Sequence, residues 1–110
     1  MKDLQIGEFE EVVLLTVGIL HGDAYGVTIR NEIEQRLGRE VSVGALQITL
    51  KRLEKKGFLK SVHGESTALR GGRPKLYFSI TAYGKKAIAH AHDTRNALWN
   101  ALPNVVLNLD

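Results

Sequence analysis

Residues 42–59, SVGALQITLKRLEKKGFL, carry the clearest structural pattern in this chain. Ser42 is a suitable N-cap for a helix, because its hydroxyl can accept a hydrogen bond from a backbone N–H of the first turn. Gly57 is placed to end that helix. Apolar residues recur between them at helical spacing and form one stripe: Val43, Leu46, Leu50 and Leu53. The helix runs directly into an apolar segment of a different period, which is typical of a helix followed by a β-hairpin.

The opposite side of this helix is polar and cationic, as a helix that contacts DNA requires. Its residues are Gly44, Gln47, Ile48, Lys51, Arg52 and Lys55. Small residues let the backbone approach a groove, Gln47 and Arg52 can bond to base edges, and the lysines can bind phosphate oxygens. Ile48 is the exception, and in a major groove it can contact a thymine methyl group. The alternative is a surface helix whose charged face is simply solvated.

Two further helices are predicted upstream. Glutamates in an opening turn and apolar residues at near-helical spacing predict a first helix over about residues 8–20. Apolar side chains cover most of its circumference, so we expect burial on more than one side, inside the domain or against a second subunit. A stripe of Ile29, Ile33 and Leu37, with Gly38 as a C-terminal stop, predicts a second helix. The second and third helices with their short link form a candidate helix-turn-helix.

Two short apolar segments downstream, residues 59–63 and 76–80, predict strands that pair as a β-hairpin. The sequence between them, GESTALRGGRPK, is long for a hairpin loop. Its cations Arg70, Arg73 and Lys75, with two glycines and a proline, suit contact with the DNA backbone or the minor groove. An ordinary solvated hairpin tip is the alternative.

A last helix is predicted from a Thr81 N-cap as far as Leu102, where Pro103 prevents continuation. Such a helix extends about 30 Å, which is longer than so small a domain can cover, and we expect it to pack on a partner. Trp99 either locks a dimer interface or forms a stacking wall for an aromatic effector. The tail, residues 103–110, is apolar without a clear period. The residues expected at the dimer interface are Phe9, Val13, Ile88, Ala91, Leu98 and Trp99.

Charge is unevenly distributed along the 110 residues. The net charge is +3 overall, with −4 in residues 1–40, +6 in residues 41–80 and +1 in residues 81–110. A basic middle segment fits a phosphate-binding surface, although a solvated lysine-rich face is the alternative. The length predicts one small domain with one core.

Other classes of function find little support in the sequence. Without cysteine there is no disulfide and no thiolate site, and no apolar run approaches the length that spans a bilayer. We therefore expect a cytoplasmic protein without membrane contact. His90, His92 and Asp93 are metal-ligand types, but the two histidines lie about 200° apart on a helix, so no metal site and no cofactor is expected. The sequence pairs no nucleophile with a base, places no two carboxylates on one face and has no phosphate-binding loop. It therefore does not predict an enzyme.

The order of helices and hairpin predicts a mainly α protein with a small β-hairpin (α+β), a winged helix-turn-helix with a C-terminal dimerisation helix. The sequence also resembles the PadR family of transcriptional regulators over about residues 4–90. The segments that carry the resemblance are GEFEE at 7–11, AYG at 24–26, VGAL at 43–46, RLEKKG at 52–57, GGRPK at 71–75 with Tyr77, and IT at 80–81 with Gly84.

The resemblance implies a homodimeric repressor in which the third helix enters the major groove of an operator and the C-terminal helix crosses its partner. Several family members also bind a small-molecule effector near the dimer interface. We predict a winged helix-turn-helix DNA-binding domain over residues 1–80 and a C-terminal dimerisation helix with a tail over residues 81–110. The expected DNA-binding residues also include Tyr25, Ser42 and Tyr77.

This sequence departs from the family pattern in the third helix and at the C-terminus. Family members usually carry tyrosine after the Gly-Ala-aliphatic triplet and often proline soon after, where this chain has Gln47 and Thr49. A DNA contact made by that tyrosine therefore does not carry over. The short C-terminal part resembles the short branch of the family. A winged-helix module that binds proteins rather than DNA is the alternative function, because fold does not fix function.

Overall fold

The computed structural model describes residues 3–64 and 74–110. It is mainly helical with one antiparallel hairpin, and the predicted winged helix-turn-helix class is confirmed. The elements in chain order are α1 (Glu8–Ile19), α2 (Gly26–Leu37), α3 (Val43–Lys55), β1 (Leu59–His63), β2 (Leu76–Ile80), α4 (Ala82–Asn100) and α5 (Asn104–Leu107).

The helix ends are set by the local signals that the sequence carries. The Ser42 hydroxyl accepts a hydrogen bond of 3.0 Å from the Ala45 N–H at the start of α3. The Thr81 hydroxyl does the same for the Gly84 N–H at the start of α4, at 2.9 Å. Gly38 ends α2 in the left-handed region at φ +63°, where glycine has no steric penalty. These three predicted caps are confirmed.

The hairpin has the predicted strand bounds. Leu59 lies opposite Ile80 and His63 lies opposite Leu76. The Phe78 N–H donates a hydrogen bond of 2.8 Å to the carbonyl of Ala24, in the loop before α2. This bond fixes β2 against the helix-turn-helix.

Helix α1 is the centre of the domain and packs against α2, α3, α4 and β2. Its burial on several sides is therefore intramolecular. Val13, which we predicted at the dimer interface, is completely buried between these elements, so that prediction is wrong: no surface of Val13 is left for a partner. Leu15 and Ile19, on the remaining side of α1, are exposed.

Helix α3 is rotated from its predicted position. Its buried residues are Leu46, Thr49, Leu50 and Leu53, whereas Val43 is exposed. The buried stripe thus lies about 30° around the helix from the predicted one. Residues 42–45 are all exposed, so the first turn stands clear of the core and Val43 cannot contribute to it.

The start of α4 lies against the segment that follows α3. The Thr81 hydroxyl donates to the Gly57 carbonyl at 2.6 Å, and the Thr81 N–H donates to the Phe58 carbonyl at 3.1 Å. A Cβ on Gly84 would lie 2.1 Å from that same Phe58 carbonyl oxygen. Glycine is therefore required here by close approach of backbone to helix, and not by a positive φ.

Helix α4 begins in the core and leaves it. Gly84 and Ala87 are buried, whereas every residue from His92 to Asp110 is exposed. The helix ends at Asn100, two residues before the predicted end, and Pro103 separates it from the short α5, which the sequence did not predict. The extended helix makes the protomer elongated, with extents of 62 × 37 × 21 Å. Among the described residues, no helix combines the length and apolarity needed to cross a membrane.

Candidate nucleic-acid interface

The outward face of α3 carries all the predicted DNA-contacting residues of this helix. Each of them is exposed: Gly44, Gln47, Ile48, Lys51, Arg52 and Lys55. On the helical wheel, Gly44, Ile48, Lys51 and Lys55 fall within an arc of about 60°, opposite the buried stripe. Gln47 lies on the α2 side of this arc and Arg52 on the other side. The helix therefore presents a strip of cations around one isoleucine and one glycine.

A shallow groove separates α2 from α3. The Gln47 amide nitrogen lies 3.4 Å from where a Cβ on Gly26 would be, so Gln47 leans toward the start of α2. The cavity in this groove is about 150 Å³, and the residues that line it are Gly26, Val27, Arg30, Asn31, Val43, Leu46 and Gln47. Gln47 thus lies at the rim where the two helices of the helix-turn-helix meet.

Two side chains of α2 hold the turn before α3. The Arg30 guanidinium donates to the Val41 carbonyl at 2.8 Å, and the Glu34 carboxylate accepts from the Val41 N–H at 2.8 Å. Both backbone groups of Val41 are thereby paired one residue before the Ser42 cap. Sequence reasoning missed this pair, although Arg and Glu four residues apart on a helix were the available signal.

At the base of the hairpin, the structure brings together three of the predicted residues. The Lys75 ammonium lies 4.4 Å from the centre of the Tyr25 ring and donates to the Tyr25 hydroxyl at 3.3 Å. The rings of Tyr25 and Tyr77 meet edge to face with centroids 5.4 Å apart. Lys75 is thus engaged within the protomer as well as exposed. The predicted contacts Arg70 and Arg73 lie outside the described residues.

A buried carboxylate links α1 to the end of α3. Glu10 accepts a hydrogen bond from the Gly7 N–H at 2.7 Å and pairs with the Lys56 ammonium at 2.9 Å. Burial of the carboxylate favours its neutral form, but these two donors and the positive charges of Lys56 and Arg52 together outweigh that effect and lower the pKa of Glu10 below its usual value. Sequence reasoning placed Glu10 only at a helix start, because Lys56 is far away along the chain.

The predicted dimer residues of α4 fall into two separate patches. Ile88 and Ala91 are half-buried on the first half of α4, and Ile88 lines a groove against Glu11 and Leu15 of α1. Leu98 and Trp99 are exposed, about 15 Å further along the helix.

Phe9 lies apart from both patches of α4. It is half-buried beneath the Arg39 guanidinium, whose carbon lies 5.4 Å from the ring centre. Arg39 also forms an ion pair of 3.0 Å with Glu8. The α4 residues therefore remain the main candidates for a partner.

The histidines of α4 are exposed, and no group of three or more metal-ligating side chains occurs among the residues that the structure describes. The Arg95 guanidinium, two residues beyond Asp93, instead pairs with Glu11 of α1 at 2.7 Å. This ion pair fixes the middle of α4 on α1.

Solved structures with the same fold are numerous. A PadR-like transcription factor from Bacteroides fragilis superposes with a TM-score of 0.71 at 25% identity, covering 84% of each chain. A PadR family transcriptional regulator from Eggerthella lenta has a TM-score of 0.70 at 20% identity, covering 94% of this chain and 88% of its own. RosR of H. salinarum superposes with a TM-score of 0.71 at 22% identity, covering 91% of this chain and 83% of its own. The last two comparisons show the shared fold alone.

A comparison with curated proteins finds no significant sequence match. The model of the transcriptional regulator PadR-like family, however, matches residues 14–90, which include the helix-turn-helix, the hairpin and the packed first half of α4. That family consists of transcription factors and not of enzymes. With its winged helix-turn-helix and the cationic outward face of α3, this chain belongs to the PadR-like family of transcriptional regulators.

Proposed function

We propose that this protein is a homodimeric repressor that binds operator DNA, with α3 in the major groove and the wing, β1 and β2 with their connection, on the backbone or the minor groove. The observation that carries the proposal is the outward face of α3. Its side chains are exposed in a domain that needs none of them for its own packing, and they include donors suited to both bases and phosphates.

The charges of this face support a nucleic acid as its partner. Lys51, Arg52 and Lys55 form no ion pair with any described residue, although the charge of Arg52 also acts on Glu10 at longer range. Their exposed cationic groups are therefore available to phosphates. Acidic side chains pair instead with cations elsewhere, as Glu10 does with Lys56. Neutralising phosphates releases counterions, which supplies much of the affinity of such a surface.

The later part of α4 and α5 support a homodimer. The exposed apolar side chains of these helices and of the residues next to them are Leu98, Trp99, Leu102, Val105, Val106, Leu107 and Leu109. A monomer rarely leaves so large an apolar surface in water. A two-fold interface on this segment would hold two copies of α3 for half-sites about 34 Å apart, one turn of DNA.

The groove between α1 and the first half of α4 is the place for a small-molecule effector in this proposal. Its cavity is about 320 Å³ and its lining includes Glu11, Leu15, Ile88 and His92. That volume suits a small ligand. A ligand there would contact the helix that we assign to dimerisation, and so could alter the spacing of the two DNA-binding surfaces.

One observation favours the second candidate function, a protein-binding winged helix. Val27 and Val43 are exposed beside the cationic strip of α3, and apolar side chains are common in protein interfaces. A protein-binding surface does not, however, require three unpaired cations on one helix. Salt dependence of DNA binding distinguishes the two functions.

The test is fluorescence anisotropy with duplexes selected from a random pool, repeated at several salt concentrations. We expect specific binding with a steep negative slope of log affinity against log salt. Lys55→Ala should weaken all sequences alike and reduce the slope by about 1, whereas Arg52→Ala should relax sequence preference by about 1–3 kcal/mol. Lys86→Ala, an exposed cation on α4, is the control that should change neither.

No selected duplex, or a salt slope near zero, would overturn the proposal of DNA binding. Repression is tested separately, with the selected operator placed over the promoter of a reporter gene in cells that express the protein. We expect the reporter to be silenced by the wild type and released by Arg52→Ala. Activation of the reporter would show that the sign of regulation is the opposite.

A further inference from the structure

Gly44 occupies a helical position that the fold does not reserve for glycine. It lies in the first turn of α3 with no positive φ, and a Cβ placed on it would have no atom within 4 Å. Glycine is among the least favourable residues in a helix. Since neither space nor backbone conformation requires glycine here, we look for its reason outside the protomer, in a molecule that comes close to the backbone.

Ile48 lies one helical turn after Gly44, on the same side of α3. Its side chain is 60% exposed and contributes nothing to the core. Lys51 and Lys55 follow on the same arc, so the isoleucine stands among cations near the centre of the outward face. The backbone at Gly44, which carries no side chain, and the apolar side chain of Ile48 therefore form a small apolar patch on a cationic surface.

We propose that Gly44 and Ile48 bind the methyl group of a thymine, which is the apolar group that base pairs display in the major groove. Gly44 admits the edge of the base to the helix backbone, and Ile48 covers its methyl group. The operator would then carry an A·T pair at one fixed position in each half-site. This inference rests on the proposed function, because it assigns α3 to the major groove.

Two other exposed apolar residues of the helix-turn-helix, Val27 and Val43, are less suited to this role. Val43 lies about 140° around α3 from Ile48 and lines the groove between α2 and α3. Val27 belongs to α2 and lines the same groove, and its side chain is also 60% exposed. Val27 is therefore a matched control: an apolar side chain of equal exposure on the same motif, but away from the centre of α3.

The experiment removes the methyl group from the DNA instead of from the protein. Each thymine of a duplex selected by the wild-type protein is replaced in turn by deoxyuridine, which lacks only that methyl group. We expect one position per half-site to respond, with a loss of about fourfold in affinity for one half-site and about 15-fold when both are changed. Other thymines should change affinity by less than twofold.

Variants then assign the effect to Ile48. Ile48→Ala should bind the thymine duplex about as weakly as the wild type binds the deoxyuridine duplex, and should not distinguish the two. Val27→Ala should retain the full penalty for deoxyuridine. Because both residues are exposed, circular dichroism should show each variant folded as the wild type is.

Three results would overturn the inference, and they differ in what else they overturn. If specific duplexes are selected but no deoxyuridine replacement matters, or if the penalty persists in Ile48→Ala, the thymine contact is wrong and the proposed function stands. If no duplex is selected, DNA binding itself fails, and the thymine contact with it. The alternative function, in which the winged helix binds a protein, would then remain for the surface around Ile48.

Discussion

Gly84 and Gly44 both lie in the first turn of a helix, but the space around the two positions differs. At Gly84 a single added carbon would collide with the carbonyl oxygen of Phe58, whereas at Gly44 it would meet nothing. The first glycine belongs to the packed junction, the region where α1, the end of α3 and the start of α4 meet. The second belongs to the outward surfaces, the exposed face of α3 and the segment from Asn96 to Asp110.

The two regions differ in whether their side chains make contacts within the protomer. In the packed junction, Glu10 is paired with Lys56 and the Thr81 hydroxyl is bonded to Gly57. On the outward surfaces, Ile48 and Trp99 are exposed, and the cations of α3 have no ion pair among the described residues. The protomer therefore explains the chemistry of the packed junction, and in our proposal DNA and a second copy of the chain explain that of the outward surfaces.

Removal of the segment from Asn96 to Asp110 should have the largest effect and tests the outward surface of α4. The truncated chain keeps the pair between Arg95 and Glu11, so we expect it to fold. It should be a monomer and should bind a two-site operator about 10²–10⁴-fold more weakly, because the two half-sites lose their linkage. Analytical ultracentrifugation and DNA titration measure both properties.

Trp99→Lys in the full-length chain is the matched point variant for this truncation. It places a charge in the expected interface and alters no buried residue, since Trp99 is exposed. It should dissociate the dimer in the same way. A truncated chain that remains dimeric and binds tightly would show that the interface lies elsewhere, with Ile88 and Leu15 as the next candidates.

Gly84→Ala tests the packed junction and should have the next largest effect. The new methyl group cannot avoid the Phe58 carbonyl unless α4 moves away from β1, and we expect a loss of about 3 kcal/mol or more in the free energy of unfolding. Urea denaturation measures this change. An unfolding free energy close to that of the wild type would mean that α4 can shift easily, and that the junction is less tightly packed than described.

Most of the fold could be predicted because its signals are local. Ser42, Thr81 and Gly38 each act on a backbone group within a few residues, and the strand bounds follow a change of period along the chain. The rotation of α3 could not be predicted in this way. A valine in its first turn fits the apolar pattern as well as Thr49 does, and only the position of the core decides which of them is buried.

Only the part of the site that depends on local sequence could be predicted. Exposed residues of α3 could be identified from the helix period, and each is exposed in the structure. Contacts between distant segments carried no such signal: Lys75 lies on the ring of Tyr25, 50 residues away, and Lys56 pairs with Glu10, 46 residues away. Val13 was wrongly predicted at the dimer interface, because in a helix that is apolar all round the sequence does not distinguish the side facing the core from a side facing a partner.

The Glu10 pair should give a smaller, pH-dependent effect in the packed junction. Since its pKa is lowered in the folded state, Glu10 contributes stability above its unfolded pKa of about 4.5, and that contribution is lost as pH falls through the lower folded value. Glu10→Gln should cost about 1 kcal/mol at pH 7 and remove this part of the pH dependence.

Urea denaturation between pH 3 and pH 7 measures the effect of Glu10→Gln. Glu8→Gln is the control, because its exposed ion pair with Arg39 should contribute little. Equal pH profiles for wild type and Glu10→Gln would show that the carboxylate of Glu10 does not stabilise the junction in its charged form.

Gly44→Ala should have the smallest effect on stability and the opposite sign from Gly84→Ala. Alanine is the better helix former and its methyl group meets open space, so we expect the free energy of unfolding to stay the same or rise by up to about 1 kcal/mol. Operator affinity should fall nonetheless, because the methyl group would occupy the space that the base edge needs. Denaturation and anisotropy on the same preparation measure the two quantities. A variant that gains stability and keeps full affinity would show that no partner comes close to this backbone, and would remove Gly44 from the outward surface that contacts DNA.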